Sequence, residues 1–562
     1  MACLAAFRLL YLPPFFTLGL WNMPEKQEQV AHKGHLPILR SVSVVGIMTA
    51  LSRVLGLVRE IVMGHFFGTS ALKSAFDVAY VAPNLFRRLF GEGALTSAFV
   101  PIFGAMLEKK GRVEAFRFAW KAVSLLAVFL SGLVAVGILL SYPLESLLPQ
   151  GSRYALPLPM IRIMLPYALL ICVAALFSGI LNTMRIFAIP AITPLLLNAV
   201  WLFAMFAIFP FFPDRQEVQI QILCWSVLVA GVVQLVFLLP SLVKTGGAIC
   251  LSLRGVMQDP AIRRVLTNMV PATIGAGLIQ VNLCMDKALA FYADQSGPAA
   301  LEYSERLVYL PMGMFTTAFV TVLLPTFSRQ FGQCDLHAMR DTLERSMRQL
   351  ALIMVPCSIA LLVLAKPVVS LIYRSGRFDD LSVLLSARAL GAYAPGLLFF
   401  SFYKTLTPAF YAMRDLKTPL KVSCLGIAIN LIADVTCIYL LPEGWKHVGI
   451  AIATVITSIV TGTVLSIILY RKIHAPRPLY FVLPVLKMIL CAILMGVSVL
   501  WIHPHATTLL LRICPDGKLV EIAAMSITIF FGIGIYLAGI SVLDRPDLKG
   551  VLEDILHRRR RK

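Results

Sequence analysis

Leu95-Thr96-Ser97-Ala98-Phe99-Val100 returns 220 residues later as Phe315-Thr316-Thr317-Ala318-Phe319-Val320. Met184-Arg185 followed by Pro190 returns as Met413-Arg414 followed by Pro419, an offset of 229. Two matches in the same order, at similar offsets, read as an internal duplication. The unit holds six apolar runs, each near the roughly 20 residues that cross a bilayer. An even number gives both copies the same topology, the arrangement of transporters built from parallel repeats around a central cavity.

Outward from these matches, apolar runs fall at about 41–66, 74–106, 117–142, 157–183, 190–212, 218–243, 264–292, 299–328, 349–374, 383–412, 418–441, 447–471, 478–503 and 520–543. They are too long for membrane β-strands and lack the alternation of a barrel. The 562 residues are 59% hydrophobic and 14% charged, against roughly 25% charged in a soluble domain. With a mean hydropathy of +0.83, soluble, disordered and disulfide-scaffold classes are excluded. The expected fold is all-α and polytopic: about 14 transmembrane helices in two parallel six-helix lobes plus two C-terminal helices. Residues 1–38 form an N-terminal tail, 39–246 and 247–474 the lobes, 475–545 the extra helices and 546–562 a basic tail. Leu9 to Leu20 resembles an apolar signal core but is interrupted by Pro13-Pro14, and Met23 is an alternative start.

The formal charge of +21 would suggest nucleic acid in a soluble protein. Here the bases gather in alternate loops: Lys109 to Arg117, Arg185, Lys244 to Arg264, Arg329 to Arg348, Arg414 with Lys417, and Arg471 with Lys472. The positive-inside rule then places both termini in the cytoplasm, with membrane lipid rather than nucleic acid as the surroundings. The eleven cysteines show no C-x-x-C pair, so neither a disulfide framework nor a Cys/His metal site is expected.

Several charges lie where hydrocarbon should be. Arg53 and Arg59 are six residues apart in the first run, about 240° around the helix, off one narrow face yet able to border the same cavity at depths about 9 Å apart. Arg87 and Arg88 follow Pro83-Asn84 in the second run, Arg306 follows Glu302 and Glu305 in the eighth, and Lys404 is in the tenth. Snorkelling or local pairing accounts for Arg88 and Glu60. A cation at a helix centre costs about 3 kcal/mol even on lenient insertion scales. Arg53, Arg59, Arg87 and Arg306 therefore read as a cationic cavity for an anion, and the guanidinium fork suits phosphate. Asn430 and Asp434 are i, i+4 on one face. With Asp286 and Thr454 they form either an oxygen ligand set for an alkali cation or a neutral hydrogen-bonded cluster, unless Asp286 simply pairs with its neighbour Lys287. There is no phosphate-binding loop, nucleophile elbow or zinc-protease motif. No enzyme is expected, and active transport must draw on an ion gradient or the membrane potential.

Ser52-Arg53-Val54-Leu55-Gly56 with Arg59, then Pro83-Asn84-Leu85-Phe86-Arg87-Arg88-Leu89-Phe90-Gly91-Glu92-Gly93-Ala94 and Ala98-Phe99-Val100-Pro101, closely resembles the MurJ (MviN) family of lipid II flippases, within the MOP exporter superfamily. The resemblance implies alternating-access movement of an undecaprenyl-pyrophosphate-linked peptidoglycan precursor across the inner membrane, alongside cell-wall synthesis proteins. It assigns the substrate cavity to Arg53, Arg59, Arg87 and Arg306, with Ser52, Asp77, Glu305 and Lys404 nearby. It assigns a sodium site, the one implied cofactor, to Asp286, Asn430, Asp434 and Thr454. Ser74 stands where the family often has an acid; Asp77, nearly a turn later, either replaces it or leaves the role missing. Rival readings are export of another polyprenyl-linked saccharide, a drug/cation antiporter, and a membrane-embedded transferase. The antiporter would need an acidic cavity, and no catalytic carboxylate or His group marks a transferase.

Overall fold

The computed structural model describes residues 36–149, 151–246, 252–473, 479–512 and 517–543. A backbone in hydrocarbon must satisfy its own N–H and C=O groups, which a helix does within one segment. The apolar runs accordingly become rods. In order they are α1 (Leu36–Phe67), α2 (Ala71–Phe86), α3 (Leu95–Leu147), α4 (Pro157–Met164), α5 (Tyr167–Thr183), α6 (Ala188–Phe203) and α7 (Gln216–Lys244). Next come α8 (Pro260–Ala293), α9 (Gly297–Pro311), α10 (Thr317–Gly332), α11 (Leu336–Val363), α12 (Ala365–Tyr373), α13 (Asp380–Tyr393) and α14 (Leu397–Ala412). Then follow α15 (Lys417–Leu440), α16 (Lys446–Lys472), α17 (Leu479–Leu511) and α18 (Gly517–Leu543). Among the described residues there is no strand. The fold is all-α and polytopic.

Among the described residues, ten helical stretches are long and apolar enough to span a bilayer, eleven if α4 and α5, bent by 45°, form one span. α1 and α8 fall outside that set, and they carry Arg53, Arg59, Glu60, Asp286 and Lys287. Breaks have local causes. Gly111 at φ +82 divides α3 into two rods, a backbone angle glycine reaches without a Cβ penalty. Asp259 and Asp379 cap α8 and α13 through their side-chain oxygens, which fill orphan N–H groups at a helix start.

The duplicated motifs carry duplicated geometry. α2 contains Pro83 and runs into a π-helical turn, Arg87–Ala94; α9 ends on Pro311 and runs into another, Met312–Thr316. Proline removes a backbone donor and crowds the preceding turn, which favours such local loosening of the helix. Arg185 and Arg414 both adopt positive φ, +64° and +57°. Each closes its helix alike: Ile186 N donates to Leu181 O at 2.9 Å, and Asp415 N to Phe410 O at 2.9 Å.

Among the described residues, buried apolar side chains gather in three clusters, around Phe76 and Trp201, around Phe99 and Phe177, and from Ala290 to Ile540. α17 and α18 pack along each other, and α17 packs on α11. Tyr536 donates its hydroxyl to Leu352 O at 3.1 Å, tying α18 to the same neighbour. The expected lobe boundaries at 247 and 474, residues 1–35 of the tail and the basic tail 546–562 lie outside the described residues. The last residues of the expected tail, 36–38, begin α1.

Candidate functional site

α1 runs as a helix through both its arginines, so Arg59 and Glu60 project from adjacent positions deep in the bundle. Arg59 donates to Glu60 Oε1 at 2.6 Å and to Asn198 Oδ1 at 3.0 Å, and its guanidinium lies 4.4 Å from the Trp201 ring centroid. Asn198 and Trp201 come from α6, which packs along α1. Asn198 is itself held by the Ser52 and Pro194 carbonyls, each at 3.3 Å. From the other half of the chain Arg306 reaches the same Glu60 oxygen at 3.3 Å, and Glu302 Oε1 at 3.3 Å. Lys287 pairs with Glu302 at 2.7 Å. Lys73, fully buried, pairs with Asp77 at 2.6 Å and lies 3.9 Å from Glu60. Carboxylates thus interleave with cations, which is the condition for burying charge at tolerable cost.

Further ties join the same two halves at this end. Thr69 and Ser382 hydroxyls meet at 3.0 Å, Tyr303 donates to Gly68 O at 3.2 Å, and Ala299 N donates to Ser74 Oγ at 3.3 Å. Arg377 pairs with Asp214 at 2.9 Å, and its backbone N–H donates to His65 O at 2.9 Å. The two halves of the chain are latched here.

Two turns back along α1 the setting differs. Arg53 is exposed and donates to the Gly313 carbonyl in the π turn after α9. Lys404 of α14 is also exposed, 5.8 Å from the Tyr309 ring centroid and close enough to Arg53 for their charges to interact. Neither has a carboxylate within 4.0 Å among the described residues. Arg87 donates to Asn84 Oδ1 at 3.1 Å, one turn back in its own segment. Arg88 reaches Gln280 of α8 at 3.4 Å.

The polar group on α8 and α15 is compact. Asn282 Nδ2 donates to Asn430 Oδ1 at 2.7 Å and lies 3.3–3.4 Å from the Asp286 carboxylate. Asn430 Nδ2 donates to Asp434 Oδ2 at 3.1 Å, and the Asp286 and Asp434 carboxyls are within interaction range of each other. Asp434 is 1% exposed, and its Oδ1 has no hydrogen-bond partner. A buried, unpaired carboxylate oxygen is costly, and hard oxygen donors suit an alkali or alkaline-earth cation. The residues fit an ion. Thr454, on the neighbouring α16, donates its hydroxyl to Ile450 O at 2.9 Å, within its own helix.

The structure therefore brings Arg59 and Arg306 together through Glu60, and sets Arg53 on Gly313 within charge-interaction range of Lys404. Ser52 enters through its backbone carbonyl. Glu305 accepts from the Tyr393 hydroxyl at 3.0 Å. Ser74 is buried against α9, while Asp77 is engaged with Lys73. Glu60, read from sequence as snorkelling or locally paired, is buried at the junction of three cations. The pairing of Asp286 with Lys287 suggested by their adjacency is absent, because successive helical positions face apart and Lys287 turns to Glu302. Sequence reading missed Lys73, Asn198, Trp201 and Asn282. Asn282 had a signal, four residues before Asp286 on one helical face.

A family model described as lipid II flippase MurJ matches residues 63–513. A lipid II flippase MurJ of Burkholderia cenocepacia is 32% identical over 452 residues, covering 78% of this chain and 86% of that protein. A probable lipid II flippase MurJ of Buchnera aphidicola is 30% identical over 521 residues, covering 92% and 98%. Among solved structures, a lipid II flippase MurJ in an inward closed conformation superposes with a TM-score of 0.70 at 23% identity, covering 89% of this chain and 99% of that one. An inward-facing multidrug resistance transporter of the MATE family, in the MOP superfamily, superposes with a TM-score of 0.63 at 14% identity, covering 77% and 98%. The family model spans most of the chain, and relatives of 30% identity or more cover it widely; the chain belongs to the lipid II flippase MurJ family.

Proposed function

We propose that the protein flips lipid II, a polyprenyl-pyrophosphate-linked peptidoglycan precursor, from the inner to the outer leaflet of the cytoplasmic membrane by alternating access. The observation that carries this is that Arg53 and Lys404, exposed cations from different halves of the chain whose charges interact, have no carboxylate within 4.0 Å among the described residues. Like charges held together in an apolar bundle are costly unless an anion or water lies between them. A pyrophosphate supplies that anion, and Arg grips it bidentately.

Arg59 and Arg306 lie beyond Arg53 toward the latched end, and both hold Glu60. A pyrophosphate advancing along α1 competes with Glu60 for these guanidiniums. Drawing them away loosens the contact of Glu60 with Arg306, one of the ties between α1 and α9. Binding is thereby coupled to release of the latch. Alternating access then needs only that the two halves of the chain, 39–246 and 247–474, rock against each other. Asp286, Asn430 and Asp434 hold a sodium ion, which supplies positive charge to the lone Asp434 oxygen and resets the carrier. The basic alternate loops support a cytoplasmic side for both termini, and the protein works as a transporter with no catalytic step.

The test is rescue of a flippase-depleted bacterium, reading lipid II accessible at the outer leaflet. Restored accessibility is expected from the wild-type chain. Growth rescue without outer-leaflet lipid II would overturn the assignment.

A further inference from the structure

Helices α11, α12, α13 and α16, with the turn after α13 at Pro395, line an open groove of about 520 Å³ that shares no residue with the charged network. Leu362, Ala392, Val448, Ile452 and Ile456 line it, and Leu362 and Ile456 are exposed on the exterior of the bundle. At Gly391 a Cβ would meet only Leu362 Cδ1, at 3.9 Å, so the slot is open above this residue. One charged side chain enters, Arg388. Its guanidinium lies 4.3 Å from the Trp445 ring centroid, and Nη1 donates to Gly444 O at 3.2 Å. Arg388 has no carboxylate within 4.0 Å among the described residues.

The two ends of the groove differ in kind. Trp445 directly precedes α16, where the helices emerge from the bundle, and tryptophan favours the membrane–water interface. From Lys446 to Ile456 the slot runs about 15 Å down α16 into the apolar zone. A guanidinium has five donors in a planar fork, and Gly444 uses one. An apolar slot headed by an arginine without an acid partner complements one chain and the phosphate of a lipid.

We propose that this groove binds an anionic glycerophospholipid of the adjoining leaflet, its phosphodiester on Arg388 and one acyl chain between α13 and α16. The site is independent of the flippase reading.

The experiment is native mass spectrometry of the delipidated full chain titrated with phosphatidylglycerol or with uncharged diacylglycerol. One phosphatidylglycerol is expected to bind in preference to diacylglycerol. Arg388→Gln should weaken it roughly 10-fold or more, the worth of a charge-assisted hydrogen bond. Gly391→Phe should block the slot at an unchanged melting temperature, and Ile452→Trp provides a second plug should that variant not fold. Equal binding of diacylglycerol, or binding indifferent to Arg388→Gln and to the plugs, would overturn the proposal. So would displacement at parity by undecaprenyl pyrophosphate, or a dimer that the plugs dissolve, which would make the occupant the polyprenyl carrier or a second copy of the chain.

Discussion

At the residue scale the arginines differ in what they hold now, and that sets what each substitution does. Lys at Arg53, Arg59, Arg87 or Arg306 keeps a charge but loses the fork, so lipid II binding should fall by about 10- to 150-fold, one charge-assisted hydrogen bond. Ala should be worse, at normal expression, while Arg88→Lys is tolerated because the bond of Arg88 to Gln280 is long, at 3.4 Å. Lipid II binding by purified variants, with complementation, checks the series; wild-type behaviour of all four Ala variants would remove the anionic cavity. The ion site has its own readout. Asp434→Ala should abolish sodium-dependent thermal stabilisation while leaving part of substrate binding, and an unchanged sodium dependence of Tm would return the cluster to neutral hydrogen bonding.

At the element scale the turn after α14 shows how a polar loop ends an apolar rod. Arg414 occupies a left-handed conformation at φ +57 that strains a side chain bearing a Cβ. Arg414→Gly should leave Tm unchanged or raise it, by up to about 1 kcal/mol of stability, whereas Arg414→Val should lower it. Next to it, burial alone would raise the Asp415 carboxyl. Hydrogen bonds from Lys472 and Thr418 instead hold it down at about 2. A depressed carboxyl contributes stability above its unfolded pKa of roughly 3.9 and loses it as pH falls toward the folded value. The Tm penalty of Asp415→Asn should therefore be the same at pH 5 and pH 8. A penalty confined to pH 8 would contradict the Lys472 contact.

At the scale of the whole molecule, the latch joining residues 65–77 to residues 297–382 is the feature alternating access must undo. Thr69→Cys with Ser382→Cys puts two thiols where hydroxyls now meet at 3.0 Å. Oxidation should arrest lipid II flipping, and reductant should restore it, with either single variant unaffected. Undiminished flipping by the cross-linked pair would mean that this end never opens.

Composition and repeat were enough to determine the class of this protein. Fourteen long apolar runs leave the backbone no option but helices, and the recurrence of Met-Arg and of the Thr-containing motif exposed the duplication that the matched π turns and matched left-handed arginines repeat in three dimensions. The intramembrane arginines were legible for the same reason, since an uncompensated charge is conspicuous in an apolar run. Their partners were not. Glu60 joins Arg306 across 246 positions, Lys287 turns from its neighbour Asp286 to Glu302, and Asn198 and Trp201 reach Arg59 from another helix. Helical periodicity specifies which face a residue occupies, but only the packing of helix on helix decides which charge that face meets.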